Sequence, residues 1–224
     1  MIEQLTGTSA SQAFQERIFT PLGLKNTLLP AADDASIPEP HPQGYSFGTN
    51  TSTIDTYALP AADVSEALAG TLLPNNETDA NPSWTWTAGG AISTIDDMKT
   101  YVEALVDGGL LNAKTQKIRL DSLQSTNPEN PSAALYGLGI AQIGALIGHD
   151  GQIPGYMTFM GHDPKSGLTI VICTNLATVP SGEGSALTIL KALLPVFYPG
   201  MAIPGGDPAA APSGSSAATT TTGG

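Results

Sequence analysis

Gly148-His149-Asp150-Gly151-Gln152-Ile153-Pro154-Gly155-Tyr156 decides how this chain folds, because it lies in the most strand-like part of the sequence. Tyr136-Gly137-Leu138-Gly139-Ile140-Ala141-Gln142-Ile143 runs ahead of it. Tyr156-Met157-Thr158-Phe159-Met160-Gly161 and Leu168-Thr169-Ile170-Val171-Ile172-Cys173-Thr174 follow. The last is a continuous apolar, β-branched run, the pattern of a strand buried on both faces. Asp163-Pro164-Lys165-Ser166-Gly167 reads as a hairpin loop, with Pro to open the turn and Gly to accept positive φ. These segments predict a small antiparallel sheet. One of its strands carries a His, glycines and a Pro, residues that a purely structural strand avoids.

Working outward, the 224 residues, 41% hydrophobic and 12% charged, suffice for one domain with a core. A formal net charge of -12 with only 8 Lys plus Arg argues against nucleic acid or an anionic membrane as partner, since both need clustered cations. No apolar run approaches ~20 residues, so no membrane span is expected. Met1-Ile2-Glu3-Gln4 has neither the basic nor the apolar part of a signal peptide. The single cysteine, Cys173, is read as a small core residue inside the buried strand, and one Cys leaves the redox compartment open.

Ser9-Ala10-Ser11-Gln12 has the form of a capping box, with Ser9 capping and Gln12 reaching back. The helix that follows turns Phe14, Ile18 and Phe19 to one face and ends at Pro21. From Pro30 to about Pro82 periodicity is weak, and the reading is a long excursion of turns and brief strands, Tyr45-Ser46-Phe47 among them. Ser93 or Thr94 caps a further helix, with Asp96 and Asp97 in its first turn and Gly108-Gly109 at its end. Ile95, Met98, Tyr101, Val102, Leu105 and Val106 recur along it at helical spacing. A shorter helix is expected from Ala113 to about Leu123. A last one follows Gly182-Glu183-Gly184, with Leu187, Leu190, Leu193 and Leu194 as its stripe and Pro195 near its end. Residues 1–200 are read as the folded part. Residues 201–224, mostly Gly, Pro, Ala, Ser and Thr, are read as a disordered tail. The fold class expected is α+β, an antiparallel sheet flanked by helices.

Several chemistries find no support. His41, His149 and His162 are scattered and no metal-ligand spacing exists, so no metal is expected. No GxGxxG or P-loop lysine suggests a nucleotide, and no cofactor of any kind is implied. No GxSxG elbow is present.

Three segments in order carry a resemblance. They are Pro21-Leu22-Gly23-Leu24-Lys25-Asn26-Thr27; Ala88-Gly89-Gly90-Ala91-Ile92-Ser93-Thr94-Ile95-Asp96-Asp97; and Tyr136-Gly137-Leu138-Gly139 with Gly148-His149-Asp150-Gly151 and Pro154-Gly155-Tyr156. Together they resemble the C-terminal half of the serine β-lactamase-like family, which spans class C β-lactamases, D-alanyl-D-alanine carboxypeptidases and related esterases. The resemblance runs from Met1 to about Tyr198. It implies a serine hydrolase that works by acyl transfer on a small-molecule or peptide substrate, secreted or held in the cell envelope.

The resemblance also implies roles. His149 is the polar or cationic residue beside the substrate, able to assist proton transfer or hold an anionic group. Gly151 lets the substrate backbone approach the strand. The backbone N–H of Gln152 is a donor of the oxyanion hole. Asp150 is the middle residue of the motif. If its side chain faces the cleft, it disfavours substrates with a free carboxylate and favours neutral or cationic ones. Tyr45, Trp84 and Trp86 are read as packing residues or as walls of the substrate pocket, while His41 and His162 are read as loop and turn histidines.

The departures are equally plain. The family's nucleophile is the Ser of S-x-x-K. The residues three before each Lys of this chain are Leu22, Asp96, Leu111, Lys114, His162 and Thr188, none of them Ser. No Y-x-N is present either, and Ser125-Thr126-Asn127 follows the helices it should precede. The expectation is therefore a chain inactive by itself, whose catalytic partner is a further N-terminal half. The alternative is a non-catalytic protein that binds a peptide or glycan in the remaining cleft.

Overall fold

A computed structural model describes residues 1–31, 33–34, 36–48, 58–80, 85–130 and 133–201. The expected disordered tail, apart from Met201, lies outside the described residues, as does Trp84. Met201 itself packs against the core.

Helices α1 (Ile2–Thr6), α2 (Ala10–Phe14) and α3 (Thr20–Leu22) open the chain, with a π-helical turn, Gln15–Phe19, between the last two. Ser9 caps α2 by accepting from the Gln12 N–H at 3.1 Å, as the sequence suggests. Gln12 does not reach back; its side chain donates to Glu16. Pro21 does not end the helix but sits inside α3, the last turn of a helical run continuous from Ala10. The stop is Gly23 at φ 69. Strand β1 (Tyr45–Ser46) pairs with β2 (Asn75–Asn76), and between them lies α4 (Ala61–Leu68), a helix within the expected excursion of turns and strands. Residues 49–57 of that excursion lie outside the described residues.

α5 (Trp86–Gly89) precedes α6 (Ile95–Asp107), which Thr94 caps by accepting from the Asp97 N–H and Gly108 closes. α7 is Ala113–Asp121, capped by Asn112. Next comes a six-stranded antiparallel meander in which every strand lies beside its neighbour in sequence: β3 (Gln124–Ser125), β4 (Leu135–Tyr136), β5 (Ala141–Ile143), β6 (Leu146–Ile153), β7 (Tyr156–His162) and β8 (Thr169–Thr174). α8 (Ser185–Phe197) ends the described fold, and no helix among the described residues is long and apolar enough to cross a membrane.

Side chains alternate across the sheet and so divide its two faces. Met157, Phe159, Ile170 and Ile172 point to the α8 side, where they form the main core with Leu146, Ala186, Leu190 and Leu194. His162, Thr169 and Cys173 point to the α6 side and meet Asp107, Glu103 and Met98 there.

Two strand readings are corrected. The expected strand Tyr136 to Ile143 is broken in two, because Gly137 N–H bonds Ile140 O and Gly139 takes φ 69, turning β4 back into β5. Cys173 is exposed, not buried. It lies on the edge strand of the sheet, on the face that α6 covers only in part.

The first two motifs of the resemblance meet in space. Asp97 is 9% exposed, and one of its oxygens accepts from the Asn26 N–H and the Thr27 hydroxyl, each at 2.8 Å. Thr27 also bonds Ser93 at 2.8 Å, and Leu28 and Ile92 form a bridge beside it. Asp97 thus does more than complement a helix N-terminus. It clips the Pro21–Thr27 turn to α6, and a buried acceptor of this kind is costly to remove because its donors lose their partner. These two motifs hold the N-terminal helices against α6.

Candidate active site

β6 and β7 are joined by Pro154-Gly155, a proline followed by a glycine at φ 82, the type II pattern. Ile153 and Tyr156 close this two-residue turn, and the register continues Gln152 opposite Met157, Gly151 opposite Thr158, Asp150 opposite Phe159 and His149 opposite Met160. In an antiparallel pair, opposed residues alternate between exchanging both backbone hydrogen bonds and exchanging none. The closing pair exchanges both, as does Gly151 with Thr158. The N–H and C=O of Asp150 and Gln152 therefore point away from β7. On that side β5 pairs only with Leu146, Ile147 and Gly148, so among the described residues the edge of β6 from His149 onward has no partner strand. Asp150, Gly151 and Gln152 are exposed along it.

His149 folds over this edge. Its Nδ1 lies 2.6 Å from the Asp150 carbonyl oxygen and 3.3 Å from an Asp150 carboxylate oxygen. Nε2 lies 3.0 Å from the Tyr136 hydroxyl, and the two rings meet edge to face, centroids 5.5 Å apart. Both partners of Nδ1 are acceptors, so Nδ1 carries a proton. The Asp150 carboxylate, against the opposing cost of burial and with help from Tyr136, raises His149 from 6.5 to about 10. The same contact with His149 lowers the Asp150 carboxyl. At neutral pH the edge of β6 thus begins with an imidazolium, the charge a lysine would bring there.

The sign of each shift fixes a pH window. A raised His149 contributes stability in full below its unfolded value, roughly 6.5, and loses it as pH climbs through about 10. A lowered Asp150 contributes above roughly 3.9 and loses it as pH falls through its folded value. Asp150→Asn is expected to lower the melting temperature most between about pH 4 and 6.5, with the difference shrinking to nothing above about pH 10. Paired thermal melts across that range check it, and a difference that stays constant with pH contradicts it.

The glycines of the motif separate by function. A Cβ on Gly148 would lie 2.0 Å from the carbonyl oxygen of Met160, so this glycine is required by the close approach of β7. A Cβ on Gly151 would meet only the tip of the Thr158 side chain, at 2.9 Å, and the space over its Cα is otherwise open.

The structure brings His149, Asp150, Gly151 and Gln152 together along one edge, while Tyr45 lies at the β6–β7 turn and Trp86 packs on the N-terminal helical cluster. Tyr45 N–H bonds the carbonyls of Gly155 and Asn175, while its hydroxyl donates to Gln43 at 2.8 Å, so it straps the β6–β7 turn. Trp86 packs with Phe14, Ile18, Leu22 and Tyr101 against the N-terminal helical cluster. Its φ of 39 is in the left-handed region, unusual for so bulky a residue. The helix it begins reaches β6 at Gly89, beside Ile153.

His41 is a loop residue beside Pro42, as expected. His162 is not a turn histidine: it is 4% exposed and bridges Thr169 and Asp107, tying α6 to the sheet. Sequence reasoning passed over Tyr136 as a site residue. It stood in the Tyr136-Gly137-Leu138-Gly139 motif, but only the fold shows that its hydroxyl reaches His149.

Residues 1–194 match the family described as Beta-lactamase. Among solved structures, a D-stereospecific amidohydrolase from Streptomyces sp. is 24% identical with a TM-score of 0.67, over 90% of this chain and 52% of that one. A D-amino acid amidase from Ochrobactrum anthropi SV3, complexed with L-phenylalanine amide, is 25% identical with a TM-score of 0.60, over 79% and 47%. A penicillin-binding protein from Bacillus halodurans shares the fold at 20% identity and a TM-score of 0.54, over 86% and 51%. The chain spans about half the length of each.

Proposed function

The chain belongs to the β-lactamase family, and on that premise we propose that it supplies the sheet edge of a serine amidohydrolase acting by acyl transfer. The observation that carries this reading is the partnerless edge of β6, whose Gln152 N–H points outward three residues from a histidine cation. A backbone N–H fixed by a sheet needs no reorganisation as charge grows on a carbonyl oxygen, which makes it an effective oxyanion donor. The outward N–H of Asp150 and the N–H and C=O of Gln152 can also pair with an extended substrate as a further strand does. His149 supplies a fixed positive charge beside that oxygen. Protonated through neutral pH and bonded at both nitrogens, it acts through its field and not as a general base.

Acyl transfer through a serine ester needs a serine activated by a base. No Ser of this chain stands three before a Lys, so the reading assigns nucleophile and base to sequence beyond these 224 residues. Asp150 shares a cross-strand position with Phe159, which lies on the α8 side, and its charge is balanced by His149. Neutral amides are the substrates we assign. They match both the unblocked edge and the amidase activity by which two of the similar structures are named.

Intact-protein mass spectrometry tests this. The chain alone, incubated with a fluorophosphonate or a labelled penicillin, is expected to gain no mass. The chain extended by the sequence encoded upstream of Met1 is expected to gain one probe at a serine followed three residues later by lysine. A stoichiometric adduct on the chain alone overturns the assignment of the nucleophile. No adduct on the extended chain favours the non-catalytic binding protein.

A further inference from the structure

We propose that Tyr136 is a substrate-binding residue of this site: its hydroxyl oxygen is held by His149, and its hydroxyl proton is presented to a carbonyl or carboxylate oxygen lying along the β6 edge. Nδ1 of His149 faces two acceptors, the Asp150 carbonyl at 2.6 Å and the Asp150 carboxylate at 3.3 Å, so its proton is committed. Nε2 has the Tyr136 hydroxyl at 3.0 Å. On an imidazolium Nε2 also carries a proton, which must be donated to the tyrosine oxygen. The hydroxyl proton of Tyr136 is then turned away from His149. Tyr136 is 48% exposed, and no second hydrogen bond of its hydroxyl is found among the described residues, so that proton faces the open side.

Position supports the same assignment. Tyr136 ends β4, opposite Ala141 of β5, and Ala141 in turn faces Gly148, the last residue of β6 that β5 covers. The hydroxyl, 3.0 Å from His149 Nε2, therefore stands where the β6 edge becomes free. The edge-to-face contact of the two rings keeps His149 from rotating off its partners. A tyrosine kept only for packing has no need of this: its ring would do the same work as phenylalanine, and its hydroxyl would end in solvent. Here a cation polarises the hydroxyl from behind, which strengthens it as a donor. This inference deepens the proposed function and rests on reading the β6 edge as the place where substrate lies.

The test uses the chain as it is, with histidine and tyrosine side chains isotopically labelled and acetate as the probe. In the wild type at pH 7, both ring nitrogens of His149 are expected to show protonated shifts. Acetate is expected to move the Tyr136 ring resonances and the Gln152 amide together, saturably. Tyr136→Phe is expected to keep the amide spectrum away from the site, to lower the pH at which His149 loses its proton, and to weaken acetate binding about five- to tenfold. A single-proton His149 at pH 7, or acetate that leaves the Tyr136 resonances unmoved, overturns the proposal from the wild type alone. Equal acetate affinity in Tyr136→Phe overturns it as well. If these responses appear while the extended chain takes no acyl probe, Tyr136 is an anion-binding donor in a non-catalytic site, and only the hydrolase reading fails.

Discussion

Gly148→Ala is expected to lose at least about 3 kcal/mol of stability, the upper end of what overpacking costs, and roughly 10 °C in melting temperature for a chain of this size. The added methyl would lie 2.0 Å from the Met160 carbonyl oxygen, 2.8 Å from its carbonyl carbon and 2.9 Å from the Gly161 Cα. All three are backbone atoms of β7, and no rotamer change relieves them. β6 and β7 would have to part at the register that aims Asp150 and Gln152 outward. Gly151→Ala provides the contrast. Its methyl meets only the Thr158 hydroxyl, at 2.9 Å, which can rotate, and its φ is not in the left-handed region. It is expected to change stability by less than about 1 kcal/mol. Chemical denaturation of both variants decides it. A Gly148→Ala protein as stable as wild type would mean that β6 is not in this register.

The second large effect falls on function and spares the fold. Gln152 faces Met157 in a pair that exchanges no backbone hydrogen bonds, so its N–H belongs to the open edge and not to the ladder. Proline is tolerated on an edge strand where the N–H it lacks faces solvent. Gln152→Pro therefore removes the assigned oxyanion donor while leaving β6 paired with β7. Gln152→Ala removes the side chain and keeps the donor. Loss of one such donor typically costs about 10²–10³ in kcat. In a catalytically complete domain the proline variant is expected to fall by that factor and the alanine variant to stay near wild type.

Much of this arrangement was legible in the sequence because its signals are local. The caps at Ser9 and Thr94, the β-branched run of β8 and the proline–glycine turn between β6 and β7 each depend on a few adjacent residues. What stayed hidden depends on distance or on context. α4 lies inside a stretch read as turns and brief strands, and it buries no residue that would mark it as part of the core. Cys173 reads as core by composition, and only its place on an edge strand exposes it. Asp97 reads as a first-turn acid, yet its partners, Asn26 and Thr27, lie some seventy residues earlier.

In the site, the order His149-Asp150-Gly151-Gln152 gives the chemistry, but alternation alone sets His149 and Asp150 on opposite faces. Their pairing arises because β5 stops at Gly148 and leaves the imidazole free to fold over the edge. Tyr136 joins them through two turns of chain that no spacing rule connects. These are the features that give the site its charge, and they belong to the tertiary structure.

The central claim is that the outward N–H of Gln152 stabilises the oxyanion of acyl transfer. It is tested most directly by the acylation rate of the extended chain on a neutral amide, compared among wild type, Gln152→Ala and Gln152→Pro, with folding verified by coincident far-UV spectra and melting curves. The claim predicts a folded proline variant slowed about 10²–10³-fold beside an alanine variant close to wild type. A folded Gln152→Pro protein that acylates as fast as the alanine variant would contradict it.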